Sequence, residues 1–136
     1  RAVRTLDEFW SALGCVVKKM APNEHDRIFA NVSHLPHVMA ASLTNANTGD
    51  DLKYSGKGFI DTSRVASGPA NIWADILATN SRNLSRAMGR AIRELEKLKR
   101  AIDKNDVKRI TEFLEAASRK RKSLIDFKMK KKELLS

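Results

Sequence analysis

Residues 22–47 read PNEHDRIFANVSHLPHVMAASLTNAN, and the architecture turns on this stretch. Pro22 sits where the first turn of a helix accepts it, and Glu24 and Asp26 suit the positive end of the helix dipole. At about 100° per residue, Ile28, Val32, Leu35, Met39 and Leu43 fall on one stripe. The opposite face is Ala30, Ser33, His37, Ala41 and Thr44, small or mildly polar. No charged residue occurs in the 22 positions from Ile28 to Gly49, in a chain that is 31% charged. Half of those positions are polar, Gly, Pro or His, so a membrane span explains the stretch poorly. A solvated back face would carry Lys and Glu, so the spacing predicts a central helix over 22–47, packed on more than one side. Pro36 removes a hydrogen bond and opposes the Val32 carbonyl, and is expected to bend or break that helix. His34 and His37 flank it, off the apolar stripe. They serve equally well as a ligand wall or as hydrogen-bonded buried histidines.

Before this stretch, Thr5, Asp7 and Glu8 signal a helix start and Gly14 its stop. Cys15 to Met20 then read as a short strand, which cannot stand alone. After it, Gly56 and Gly58 form a loop that permits close approach of main-chain N–H groups to a ligand. Asp61 or Thr62 is expected to cap the next helix, and Gly68-Pro69 to end it. A further helix is predicted from Ala70 to about Asn80. Leu84, Met88, Ala91, Leu95, Leu98 and Ile102 follow alternating spacings of four and three residues, a helix-packing seam. Asp106 or Asn105 caps a second seam, Val107, Ile110, Leu114, Ala117 and Leu124. The two read as an antiparallel hairpin, so the fold class from Pro22 onwards is all-α.

The chain has 136 residues, enough for one domain, and a net charge of +10 from 26 Lys and Arg against 16 Asp and Glu. Residues 118–136 hold eight basic residues against Asp126 and Glu133, and so supply +6 of that charge. Phe127 is the sole aromatic there, which favours a solvated basic end over a nucleic-acid partner. Cys15 is the single cysteine, so no internal disulfide forms and a reducing, cytoplasmic location is expected. His25, His34 and His37 lack the spacing of a metal motif, and no metal is expected. No Gly-x-Gly-x-x-Gly or Walker sequence occurs, so nothing in this chain grips a nucleotide by itself. What remains is a polar cluster of two histidines, a glycine loop and Arg64. Arg64 either grips a carboxylate bidentately or pairs with Asp61.

Glu24-His25-Asp26-Arg27, Ser33-His34-Leu35-Pro36-His37, Lys53-Tyr54, Gly58-Phe59-Ile60-Asp61-Thr62-Ser63-Arg64-Val65-Ala66-Ser67 and Trp73-Ala74-Asp75-Ile76 resemble prephenate dehydrogenases in order and type. The resemblance runs from about Gly14 to Ser118. It implies an all-helical substrate-binding and dimerisation domain, similar to the C-terminal domain of 6-phosphogluconate dehydrogenase. Residues 1–20 would be the residual helix–strand end of an N-terminal dinucleotide-binding domain, 21–127 the helical domain, and 128–136 a basic tail. The implied enzyme is an oxidoreductase of tyrosine biosynthesis. It oxidatively decarboxylates prephenate to 4-hydroxyphenylpyruvate with NAD or NADP, held mainly by the N-terminal half. Arogenate dehydrogenases share the pattern, and a non-catalytic interaction module on the same scaffold is the reading from another class.

The principal catalytic histidine of such enzymes lies in the cofactor half, so none of the residues here inherits that role and the chain alone is expected to be inactive. By resemblance Arg64 binds a substrate carboxylate and His37 contacts the substrate. His34, Lys57 and Gly58 adjoin it, and Asp61, Trp73 and Asp26 support the site. Lys57 stands where the family usually has glycine, and the connection from Thr44 to Lys53 is shorter than usual. The expected partners are prephenate or arogenate and a second copy of the chain, with no membrane.

Overall fold

The computed structural model describes residues 2–130. Helix α1 spans Ala2–Ala12, α2 Pro22–Phe29, α3 Leu35–Asn45, α4 Gly49–Leu52, α5 Lys57–Ser63, α6 Ala70–Thr79, α7 Ser81–Asp103 and α8 Val107–Lys130. A π turn, Ala30–His34, joins α2 to α3, and a 3₁₀ turn, Arg64–Ser67, follows α5. The described residues contain no strand. The strand expected at Cys15 to Met20 is therefore corrected. Those six residues are irregular, because a lone extended segment has no ladder to complete. Gly14 does end α1, with φ at +82°, where a residue with a side chain would be strained.

The predicted helix over 22–47 forms as a continuous helical run, and Pro36 does not break it. The irregularity lies one turn earlier: the Leu35 N–H reaches the Ala30 carbonyl, five residues back. This wider turn lies beside Val32, the carbonyl that the proline ring would otherwise crowd. Asn31 donates its side-chain amide to the Arg27 carbonyl at 2.6 Å. Thr44 and Asn47 likewise donate to the carbonyls of Ala40 and Leu43. The uncharged polar residues of this stretch thus turn back onto their own helix.

The start of α5 is also corrected. It begins at Lys57 behind Gly56, with no side-chain cap, so Asp61 and Thr62 lie inside the helix and Gly58 in its first turn rather than in a loop. Asp61 pairs with Lys57 at 3.1 Å, while the Thr62 hydroxyl donates to the Gly58 carbonyl.

The chain divides at Ala87/Met88 into two compact units. In the first, α3 packs against the π turn, the 3₁₀ turn and α5. Its buried residues are Ala30, His37, Ala40, Asn80, Leu84 and Ala87. The small face expected at the back of the helix is therefore the inner one, since alanines let backbones approach closely. Of the apolar stripe, Val32 is 66% exposed and Met39 and Leu43 36% each, so the packing expected on more than one side is found mainly on the small face.

The second unit holds the rest of α7 and α8. Their turn uses Asn105 at φ +50°, and the Asp106 side chain caps α8 by accepting from the Arg109 N–H at 3.1 Å. Leu98, Ala101 and Phe113 floor a cleft beside the turn, rimmed by Lys97, Arg100, Lys104, Arg109 and Glu112. Much of the two seams is uncovered: Leu95, Ile102, Leu114 and Leu124 are each more than half exposed. Residues up to Lys130 of the basic end are helical, and Lys131 and Lys132 lie outside the described residues. No described helix is long and apolar enough to cross a membrane.

Candidate functional site

The site is built around the π turn. His34 closes it and His37 follows in the first turn of α3. Gly68-Pro69 interrupts the chain and launches α6, whose Trp73 N–H bonds the Pro69 carbonyl at 3.1 Å. That turn sets the indole flat on the His37 ring, with centroids 3.5 Å apart and planes 9° from parallel. The same indole meets the His34 ring edge-on at 6.4 Å. Parallel and edge-on ring contacts of this kind are worth about 0.5–1.5 kcal/mol beyond their buried area.

Gly68 makes this approach possible. A Cβ there would lie against Trp73 Nε1, 2.8 Å from its Cδ1 and 3.2 Å from His37 Cε1. Gly68 has φ −62° and ψ 151°, an ordinary extended conformation, so glycine is required for space and not for backbone angle. Gly56 and Gly58 are not crowded in this way: a Cβ at either meets open space.

Val32, Ser33, Pro36, His37, Val65 and Trp73 line a cleft of about 240 Å³. His37 is only 7% exposed, and its Nδ1 is buried without a hydrogen-bond partner. Leaving such a group unsatisfied costs about 1–3 kcal/mol, and an incoming donor or acceptor would recover part of that.

Asn80, which ends α6, is the buried polar hub beside it. Its Nδ2 donates to the Asp26 carbonyl at 2.7 Å and lies 3.3 Å from His34 Nδ1. Its Oδ1 accepts from Asn83 at 2.9 Å. Burial lowers the His34 pKa from its usual value; the neighbouring His25 pushes the same way and Asp26 opposes both. The Asp26 carboxylate itself lies 3.2 Å from His25 Nδ1, so its contribution to the cluster is chiefly its main-chain carbonyl.

Arg64 opens the 3₁₀ turn, next to the cleft residue Val65. Its guanidinium is exposed and forms no ion pair among the described residues, because Asp61 is taken by Lys57. Of the residues expected at the site, the structure gathers His34, His37, Trp73 and the Asp26 carbonyl. Lys57, Gly58 and Asp61 lie on α5, and neither they nor Arg64 line this cleft. Gly68 and Asn80 were not anticipated. The only sequence signal for either was the Gly68-Pro69 break, which reads as punctuation.

Residues 21–116 match the family model described as "Prephenate dehydrogenase, dimerization domain". The chain is 29% identical over 131 residues to the cyclohexadienyl dehydrogenase of Zymomonas mobilis, covering 91% of this chain and 45% of that protein. It is 28% identical over 123 residues to the prephenate dehydrogenase of Bacillus subtilis, covering 86% and 33%. Among solved structures, it resembles Aquifex aeolicus prephenate dehydrogenase in complex with hydroxyphenyl propionate and NAD+. That match has a TM-score of 0.81 at 31% identity, over 90% of this chain and 45% of that one. Synechocystis arogenate dehydrogenase matches with a TM-score of 0.78 at 26% identity, over 90% and 47%. The chain spans less than half the length of each of these relatives.

Proposed function

Because the chain belongs to the prephenate dehydrogenase dimerization-domain family, we propose that it forms the C-terminal substrate-binding and dimerisation part of a dehydrogenase acting on prephenate. The reaction is oxidative decarboxylation to 4-hydroxyphenylpyruvate, with NAD or NADP as oxidant, in the cytoplasmic synthesis of tyrosine. Residues 1–20 then lead out of a cofactor-binding half, residues 21–127 form the helical domain, and the residues from 128 are a basic extension. The described residues contain no strand–turn–helix unit with a glycine-rich phosphate loop. They do not fit a dinucleotide, whose place is in the other half of the enzyme.

The observation that carries this reading is the buried, unpartnered Nδ1 of His37, stacked on Trp73 one 3₁₀ turn from the uncommitted cation of Arg64. Prephenate is a dianion with a six-membered ring. The Arg64 fork suits one carboxylate, His37 supplies a polar contact, and Trp73 offers a flat wall for the ring. Lys57 and Gly58 lie on α5 outside this cleft; as substrate contacts they would act in the assembled enzyme, with Asp61 restraining Lys57. A cleft of about 240 Å³ is smaller than the usual ligand pocket of roughly 300–1,000 Å³. The cofactor half supplies the remaining walls and the principal catalytic histidine, so this chain alone turns over no substrate.

The test is steady-state kinetics of the full-length enzyme with prephenate and with arogenate. A charge-assisted hydrogen bond contributes about 1.5–3 kcal/mol, so Arg64→Ala should raise the Michaelis constant tenfold or more while the melting temperature barely moves. An unchanged constant removes Arg64 from the site. The arogenate dehydrogenase of Synechocystis among the similar structures keeps arogenate as the second substrate to try, and its higher kcat/KM would decide for it.

A further inference from the structure

The hydrogen bonds around Asn80 assign a proton. The Asp26 carbonyl can only accept, so the Asn80 atom 2.7 Å from it must be the amide nitrogen. That same nitrogen faces His34 Nδ1 at 3.3 Å, and two donors cannot face each other there. Nδ1 must therefore present its lone pair, and the ring proton sits on Nε2. The Asn83 amide, donating to Asn80 Oδ1 at 2.9 Å, closes the arrangement from the far side. Three elements thus converge on one side chain at the end of α6: α2 through Asp26, the π turn through His34, and α7 through Asn83.

We propose that Asn80 is a positioning residue that holds His34 as the neutral Nε2–H tautomer and so makes it a hydrogen-bond donor beside the His37–Trp73 cleft. The functional half of this statement rests on the cleft being the substrate site; the tautomer itself does not. A donor is the useful form next to a dianionic substrate, since an imidazole presenting a lone pair would repel a carboxylate oxygen. The charged groups acting on His34 are His25 and Asp26, both from α2. α6 contributes the uncharged Trp73 and Asn80. Neutrality of His34 therefore follows from its burial and its amide partner.

The first measurement is a long-range proton–nitrogen spectrum of histidine-labelled protein at about pH 8. The expected pattern for His34 is an unprotonated Nδ1 and a protonated Nε2. The reverse pattern, or an average of the two tautomers, overturns the proposal. In Asn80→Asp the donor becomes a carboxylate, so His34 should switch to a protonated Nδ1, and its titration should move up by about one pH unit or more. An unchanged tautomer and titration in that variant overturn it as well. Should N80D fail to fold, the spectrum of the unmodified protein decides alone.

In the full-length enzyme, N80D should raise the Michaelis constant several-fold and move the acid limb of its pH profile in step with the His34 titration. A switched tautomer with an unchanged constant and profile overturns the donor role. If Arg64→Ala also leaves the constant unchanged, the failure lies with the cleft as substrate site, and the two are told apart.

Discussion

Gly68 has no room for a side chain, and two aromatic rings depend on that. A methyl group there would push the Trp73 indole off the His37 ring. Overpacking of this kind costs about 1–3 kcal/mol, so Gly68→Ala should lower the melting temperature by several degrees and change the near-ultraviolet circular dichroism of the indole. His34 makes a second prediction at this scale. Its pKa is lowered in the fold, so the unfolded chain takes up a proton first as the medium is acidified. The stabilisation from keeping this ring neutral is complete above about pH 6.5, the unperturbed histidine value. It is lost as pH falls through the lower pKa of the folded state. Urea unfolding at neutral and acid pH should show a loss of stability in the native chain that is smaller in His34→Gln. His34, His37 and Trp73 were legible in the sequence because they sit in short motifs. Asn80 was not: its partners Asp26 and His34 lie 54 and 46 positions away, and no local pattern marks a contact made by folding.

At the scale of the element, α7 carries a feature beyond its apolar seam. Arg82, Arg86, Arg90, Arg93, Lys97 and Arg100 recur at helical spacing within one narrow arc. Like charges three and four residues apart disfavour a helix by a few tenths of a kcal/mol per pair. Glu94 and Glu96 answer part of this, through Lys97 at 2.6 Å and Arg100 at 4.0 Å. The hydrogen bond from Lys97, with the charges of Lys97, Lys120 and Arg93, holds the Glu94 carboxyl below its usual pKa. Raising salt from about 0.1 to 1 M shortens the Debye length from about 10 to 3 Å, so the melting temperature should rise by a few degrees. Replacing Arg86 and Arg93 by Gln should remove much of that gain. The start of helix α8 was readable to within a residue, because Asp106 caps it with its own side chain. Helix α5 was not, because Gly56 offers no side-chain signal and Asp61, which resembles a cap, pairs instead with Lys57.

For the molecule as a whole, the apolar surface is the dominant quantity. Among the described residues no large side chain is fully buried, whereas Val32, Leu95, Ile102, Leu114 and Leu124 each stand more than half exposed. Surface of this extent is covered in a stable protein, and the family model names dimerization. Sedimentation equilibrium at micromolar concentration should therefore give a dimer. Leu95→Glu should shift it towards monomer and lower the melting temperature, with a larger effect on dilution. The all-helical class was legible because helical periodicity persists through most of the chain. That the small face packs was legible from its lack of charge; that the apolar stripe stays largely open was not, because hydrophobicity ranks faces by what they would bury, and alanine faces are chosen by how near two backbones must come.

The π turn at Ala30–His34 also bears on how this stretch tolerates change in length. A regular helix would complete that turn with one residue fewer. Losing a residue there would let the turn close as regular helix, with the residues before and after it keeping the faces they now present. His37 would stay on the Trp73 face. A residue lost from the regular part of the helix, between Leu35 and His37, would instead turn His37 and everything beyond it by about 100°.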